Sequence, residues 1–167
     1  MSVALGLVAA VLVQFALQSV HVWSALAACQ PVLLVVVASA RRLRPTSVAW
    51  LGLGAGLATD LLAGRVIGPG GVAGAAAGAL VAHVIRKFEL EGPLFWIVGS
   101  LLAATSGEVV WLALTTSLGA QPDHGPIGVL AAVATTGMLG LLVAAAERAW
   151  AWWISPERRR RRGLRSR

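Results

Sequence analysis

Apolar residues in this chain fall in successive long blocks separated by short polar or basic joints. Six blocks can be drawn, at 3–20, 22–40, 48–62, 71–85, 94–118 and 127–154. Most approach the ~20 residues that cross ~30 Å of hydrocarbon at 1.5 Å per residue. The pattern predicts an all-α polytopic membrane protein of about six transmembrane helices. The third and fourth blocks are short for a perpendicular span, so the joint at 64–70 is expected to dip into the membrane. Irregular backbone is tolerated at that depth only where protein or water satisfies its polar groups. The first block has no basic residue ahead of it and runs directly into the second, unlike a cleaved signal peptide, and is expected to stay as the first membrane helix. Residues 1–154 then form one transmembrane domain and 155–167 a basic cytoplasmic tail.

Composition agrees with this reading. Hydrophobic residues make up 57% of the 167, charged residues 13%, and the mean hydropathy is +0.79. A soluble domain has roughly a quarter of its residues charged, so this chain has too few charges to cover a water-facing surface. The net charge of +7 would raise the question of nucleic acid in a soluble protein. Here the basic residues sit at the ends of apolar blocks, which points to topology and anionic lipid instead, with no nucleic-acid partner. The single cysteine, Cys29, excludes an internal disulfide and any Cys-based zinc site.

Basic residues cluster after the second block (Arg41, Arg42, Arg44), after the fourth (Arg86, Lys87) and after the sixth (Arg158, Arg159, Arg160, Arg161, Arg162, Arg165, Arg167). In a six-span chain those three places share one side, and the bias of Lys and Arg to cytoplasmic loops puts that side, with both termini, in the cytoplasm. Arg65 falls on the outer side, as do Asp123 and His124. Trp23, Trp50, Trp150, Trp152 and Trp153 lie near block ends, where an amphipathic indole suits the membrane interface.

Few polar residues interrupt the blocks. Asp60, near the end of the third, is costly to expose to lipid. Its expected role is to tie down the following Gly-rich turn through backbone N–H groups; the alternative is a partner or gating contact. Gly52 and Gly56 on one helix and Gly74 and Gly78 on the next have the small-xxx-small spacing that lets helices approach closely. Gln14 and Gln18, four apart on the first helix, share a face from which they can bond to another helix. Glu108 and His83 could serve a proton relay or touch a substrate, but each is expected to make a buried hydrogen bond to a neighbouring helix. There is no HExxH, no Cys-x-x-Cys, no phosphate-binding glycine loop with a lysine and no nucleophile–base–acid set in sequence context. The expectation is therefore a non-enzymatic protein without a cofactor or metal.

Gln30-Pro31-Val32-Leu33-Leu34, the Gly-x-x-x-Gly-x-x-x-Asp-Leu-Leu core from Gly52 to Leu62, Ala63-Gly64, Ile67-Gly68 and a fourth helix ending in Arg86-Lys87 occur in that order. Over residues 28–88 the chain resembles the rod shape-determining protein MreD family of small bacterial inner-membrane proteins. It departs from many members in having Val32 where an acidic or amide residue follows the proline, in Gly70-Gly71, and in the arginine tail. The resemblance implies a membrane component of the elongation machinery that helps organise side-wall peptidoglycan synthesis and maintain rod shape. It implies binding to an MreC-like single-span protein and coupling of MreB filaments to the RodA glycosyltransferase and its penicillin-binding transpeptidase. Pro31, Gly64 and Gly68 join Gln14, Gln18, Gly52, Gly56 and Asp60 as candidates for partner binding or helix packing. The family's fold is similar to the six-helix substrate-binding components of energy-coupling-factor vitamin transporters, so such a component is the alternative. That alternative would need a central cavity with convergent polar groups, and an Ala-rich helix face such as 73–79 for its energising module.

Overall fold

The computed structural model describes residues 9–10, 12–13, 16, 30–64, 67–119 and 125–154. Over these the chain is all-helical. The five helices are α1 (Pro31–Ala40), α2 (Pro45–Ala63), α3 (Pro69–Lys87), α4 (Gly92–Ser117) and α5 (Pro126–Ile154). Each opens on a proline in its first or second position. A proline there gives up an N–H that has no partner within the helix anyway, and its fixed φ already suits the first turn.

These starts correct the sequence reading in one place. The block at 22–40 is not one helix, because Gln30 is non-helical (φ −116°, ψ 72°) and α1 begins immediately after it. Pro31 drives the preceding residue out of the α region, so no helix runs through Gln30. The third and fourth blocks prove longer than drawn. At 19 residues each, α2 and α3 reach ~28 Å, close to the thickness of a hydrocarbon core.

By length and composition, two stretches are apolar enough to cross a membrane: α4, and Ile127–Trp153 within α5. That is fewer than the six expected. The shortfall has a compositional cause in α2 and α3, where glycine and alanine replace larger apolar side chains, and a positional one in the first block and residues 22–29 of the second, which lie wholly or largely outside the described residues.

Helices α2 to α5 pack in chain order, each against the next, while α1 lies against all four. The tightest pair is α2 with α3, and its cause is glycine. A Cβ on Gly52 would overlap the Gly74 carbonyl, and one on Gly74 would overlap that of Gly52. One on Gly56 would overlap the Gly70 carbonyl, and one on Gly78 would sit 2.7 Å from the Val48 carbonyl oxygen. Val48/Gly78, Gly52/Gly74 and Gly56/Gly70 are therefore successive rungs of an antiparallel ladder with four-residue steps, backbone lying directly on backbone. Contact this close lets dispersion and weak backbone polar contacts act along the whole seam.

The valines of α1 fill what the glycines leave open. Val36 and Val37 are fully buried, Val36 beside Gly78 of α3 and Val37 beside Gly99 of α4. Around them lie Val32, Leu33, Val81, Ile85, Phe95 and Ala103. The pairing of α4 with α5 repeats the device, since a Cβ on Gly140 would meet Ser100 and the Trp96 carbonyl, and one on Gly137 would meet Leu101.

Gly52→Leu is expected to force α2 and α3 apart and destabilise the bundle by about 1–3 kcal/mol or more, as overpacking does. Gly54, whose added Cβ would meet nothing, serves as control. Gly54→Ala is expected to be neutral or to stabilise by up to ~1 kcal/mol. Unfolding in mild detergent, followed by circular dichroism against SDS mole fraction, measures both.

Candidate functional site

The Asp60 carboxylate lies at the end of the glycine ladder, where α2 turns into α3. α2 stops at Gly64, which takes the left-handed conformation (φ 63°) that closes a helix C-terminus and returns its N–H to the Asp60 and Leu61 carbonyls. α3 then begins after Gly68, held at φ 131°, a conformation that only glycine adopts readily. No side chain at Gly68 can cap α3, and the cap comes from the previous helix instead. The Gly68 N–H donates to Asp60 Oδ2 at 3.2 Å and the Gly70 N–H to the same oxygen at 2.9 Å. Asp60 is 4% exposed, so its carboxylate is placed at the electropositive start of α3 and shielded from solvent. This arrangement ties down the turn through backbone N–H groups, and it spends Asp60 within the chain.

A second cluster joins α1, α4 and α5 at the opposite end of the bundle. Arg41 follows the last residue of α1. Its Nη1 lies 2.8 Å from Glu147 Oε1 of α5 and its Nη2 3.4 Å from Glu147 Oε2, with a further 3.4 Å bond to the Gly92 carbonyl at the start of α4. Trp96 Nε1–H donates to Glu147 Oε2 at 2.6 Å. The guanidinium stands 3.9 Å from the centroid of the buried Phe95 ring and 5.2 Å from that of Trp96, and the two rings meet edge to face. One arginine thus holds three helix ends through an ion pair, a carbonyl and two aromatic faces. Sequence reasoning treated Arg41 as a topology signal and passed over Glu147 and Trp96. A usable signal was there: Glu147 is the one carboxylate in the block at 127–154, and a carboxylate in such a block calls for a cationic or N–H partner.

The third cluster lies between the ends. Gln30 Nε2 donates to Glu108 Oε1 of α4 at 2.7 Å, and the Gln30 N–H approaches the hydroxyl of the fully buried Thr136 of α5 at 3.4 Å. Glu108 therefore bonds to the residue that precedes α1, in a part-buried contact where a buried bond to a neighbouring helix is expected. His83 is exposed instead, because the residues of α3 that turn inward here are Val81, Ala82 and Ile85.

The other candidates are dispersed. Pro31 opens α1, and Gly52 and Gly56 are rungs of the ladder. Arg42, Arg44, Arg86 and Lys87 are exposed at the end that carries Arg41, and Arg86 donates to the Leu43 carbonyl across the α1–α2 turn. Gln14, Gln18 and the tail arginines Arg158–Arg162 lie outside the described residues. Among the described residues, no group of three or more His, Cys, Asp or Glu side chains is placed to hold a metal ion.

Comparison of the chain with models of protein families, with curated proteins and with solved structures yields no match.

Asp60→Ala is expected to leave two N–H groups without their acceptor and to cost about 1–3 kcal/mol, while Asp60→Asn keeps an acceptor oxygen and costs less. An Asn variant as damaging as Ala would assign the effect to the charge at the start of α3 rather than to the hydrogen bonds. For the second cluster, a double-mutant cycle on Arg41→Gln and Glu147→Gln is expected to return a coupling of about 0.5–1.5 kcal/mol, the pair being only half-buried but reinforced by Trp96 and Phe95. A coupling within error of zero would remove the pair as a fastener.

Proposed function

We propose that this protein is a multi-span membrane assembly protein of the bacterial rod complex, working without turnover of a substrate. In this reading its six spans place both termini and the basic rim in the cytoplasm. It binds an MreC-like single-span protein and helps couple MreB filaments to the RodA glycosyltransferase and its penicillin-binding transpeptidase. The assignment to the rod complex rests on the resemblance over residues 28–88.

The observation that carries the membrane part is the combination of apolar outer faces with hydroxyls that satisfy themselves. Leu61, Val72, Leu80, Val109, Leu130, Met138, Leu141 and Leu142 are all exposed on the helices. Between them, Thr105 and Thr116 of α4 are also exposed, yet each donates its hydroxyl to a carbonyl one turn back in its own helix, at 2.7 and 2.8 Å. Ser106, Thr115 and Thr135 do the same. An outward hydroxyl bonded to its own backbone asks nothing of the surroundings, so these faces suit lipid or the apolar face of another membrane helix.

Support for an assembly role comes from where the polar side chains go. Gln30 and Asp60, both within the motifs that carry the resemblance, fasten the chain to itself. Partner contacts are then carried by the outward apolar faces and the turns. The transporter alternative asks for a free Ala-rich face on α3; Ala73, Gly74, Ala77 and Gly78 are buried against neighbouring helices, which leaves half-buried Ala75, Ala76 and Ala79 for such a face.

Tagging the full chain, crosslinking in native membranes and purifying in mild detergent tests the reading. Recovery of an MreC-like coiled-coil protein together with a cell-wall polymerase is the expected outcome. Recovery of a transmembrane coupling subunit with paired ATPases would replace it with the transporter. Topology is tested separately: a reporter fused after Gly119 should score outside and one after Arg167 inside, and the reverse at either position would reject six spans.

A further inference from the structure

The basic residues near Arg41 read alike in the sequence, and the structure divides them. Arg41 is committed to Glu147, Gly92 and two rings. Arg42, Arg44, Arg86 and Lys87 have no carboxylate within ion-pairing distance among the described residues, where Arg41–Glu147 is the recorded pair. The hydrogen bond from Arg86 to the Leu43 carbonyl brings the end of α3 against the α1–α2 turn. Leu43 is flanked by Arg42 and Arg44, and Arg86 by Lys87, so four cations gather within one residue of a single contact. Glu89 and Glu91, in the connection to α4, share this end without pairing to any of them.

What lies beside this rim identifies the partner. Trp50 of α2 and Phe88 at the end of α3 are exposed by 72% and 64%. Along α3 the exposed positions Val72, Leu80, His83 and Lys87, together with half-buried Ala76, are three or four apart and so form one stripe, apolar at its start and cationic at its end. Arg44 followed by Trp50 along α2, and Lys87 followed by His83, Leu80 and Val72 along α3, each run from cation at the rim to apolar side chains away from it, as an anionic headgroup layer above hydrocarbon would require. A soluble acidic protein would match the rim alone.

We propose that Arg42, Arg44, Arg86 and Lys87 form a docking surface for the phosphate-bearing headgroups of anionic phospholipid, separate from Arg41, which the fold itself consumes. This rests on membrane residence and not on the partners proposed above. Loss of membrane residence would show as release of the chain from membranes by alkaline carbonate without detergent, which is distinguishable from an embedded chain indifferent to lipid charge.

The test uses the full chain, delipidated in detergent and titrated with phosphatidylglycerol or with phosphatidylcholine of the same acyl chains, bound lipid being counted by native mass spectrometry. The wild-type chain is expected to hold phosphatidylglycerol about tenfold or more tightly than phosphatidylcholine, as a few cations near an anionic surface should give. The combined variant Arg42→Gln/Arg44→Gln/Arg86→Gln/Lys87→Gln should lose most of that preference. The variant Arg42→Lys/Arg44→Lys/Arg86→Lys should keep it, because the attraction is one of charge. Replacing the seven tail arginines with glutamine should leave a clear preference in place. Should the fourfold variant fail to fold, the pair Arg42→Gln/Lys87→Gln, whose side chains make no hydrogen bond or ion pair among the described residues, should reduce the preference severalfold. Equal binding of the two lipids by the wild type, an undiminished preference in a folded rim variant, or its complete loss with the tail arginines would each overturn the proposal.

Discussion

Backbone contact between α2 and α3 is the constraint from which the rest of the architecture follows. Gly52, Gly56, Gly70, Gly74 and Gly78 clear the centre of one interhelical seam of side chains, and carbonyls of one helix come to lie where Cβ atoms of the other would be. Two helices that close must be joined by a turn that reverses the chain in very little space. The left-handed Gly64 and the φ of 131° at Gly68 supply the geometry, and Asp60 supplies the acceptor that the start of α3 lacks. The ladder also fixes what can sit above it. With Gly78 and Gly99 leaving notches on α3 and α4, the β-branched Val36 and Val37 of the short helix α1 enter where longer side chains would not, and α1 can touch all four other helices.

The two ends of the bundle are secured by different chemistry, as their surroundings require. At the α2–α3 turn a carboxylate bonds to backbone N–H groups, a local fastener whose partners lie within ten residues of it. At the other end Arg41 and Glu147 are 106 residues apart and join helices that the ladder does not reach. Phe95 and Trp96 make that pair more than a surface ion pair, since they cover the guanidinium and give the second carboxylate oxygen a donor. The Gln30–Glu108 bond, with Thr136 close by, links the same three helices again at mid-length. The bundle is therefore stitched by close packing on one side and by polar contacts on the other.

Much of the first fastener was legible in the sequence and little of the second. Four-residue glycine spacing has one strong meaning in an apolar helix, and a carboxylate placed a few residues before a glycine-rich turn has few partners other than that turn's own N–H groups. The helix starts were legible too, but in a different signal from the one used: hydropathy placed the second block across Gln30, whereas the prolines mark all five described starts. Glu147 was missed because it sits among alanines in a long apolar run, with nothing local to name a partner 106 residues away. His83 was placed inside because a histidine in an apolar block reads as buried. Its face of α3 is set by the glycine ladder, and the ladder turns Val81, Ala82 and Ile85 inward instead.

Among the described residues, the bundle consumes several of the polar side chains that interrupt its apolar blocks. Asp60, Gln30, Glu108, Arg41, Glu147 and Trp96 all have partners within the chain, while leucine, valine, methionine and self-bonded threonine make up much of the outward helix faces. Such surfaces discriminate by shape more than by polar pairing, in keeping with the assembly role proposed above. Charge is then left to the rim, where the cations not taken up by the fold stand beside exposed aromatic side chains. Because Glu147 neutralises Arg41 and leaves its neighbours alone, one end of the protein combines a closed structural pair with a rim in which four cations outnumber the carboxylates Glu89 and Glu91.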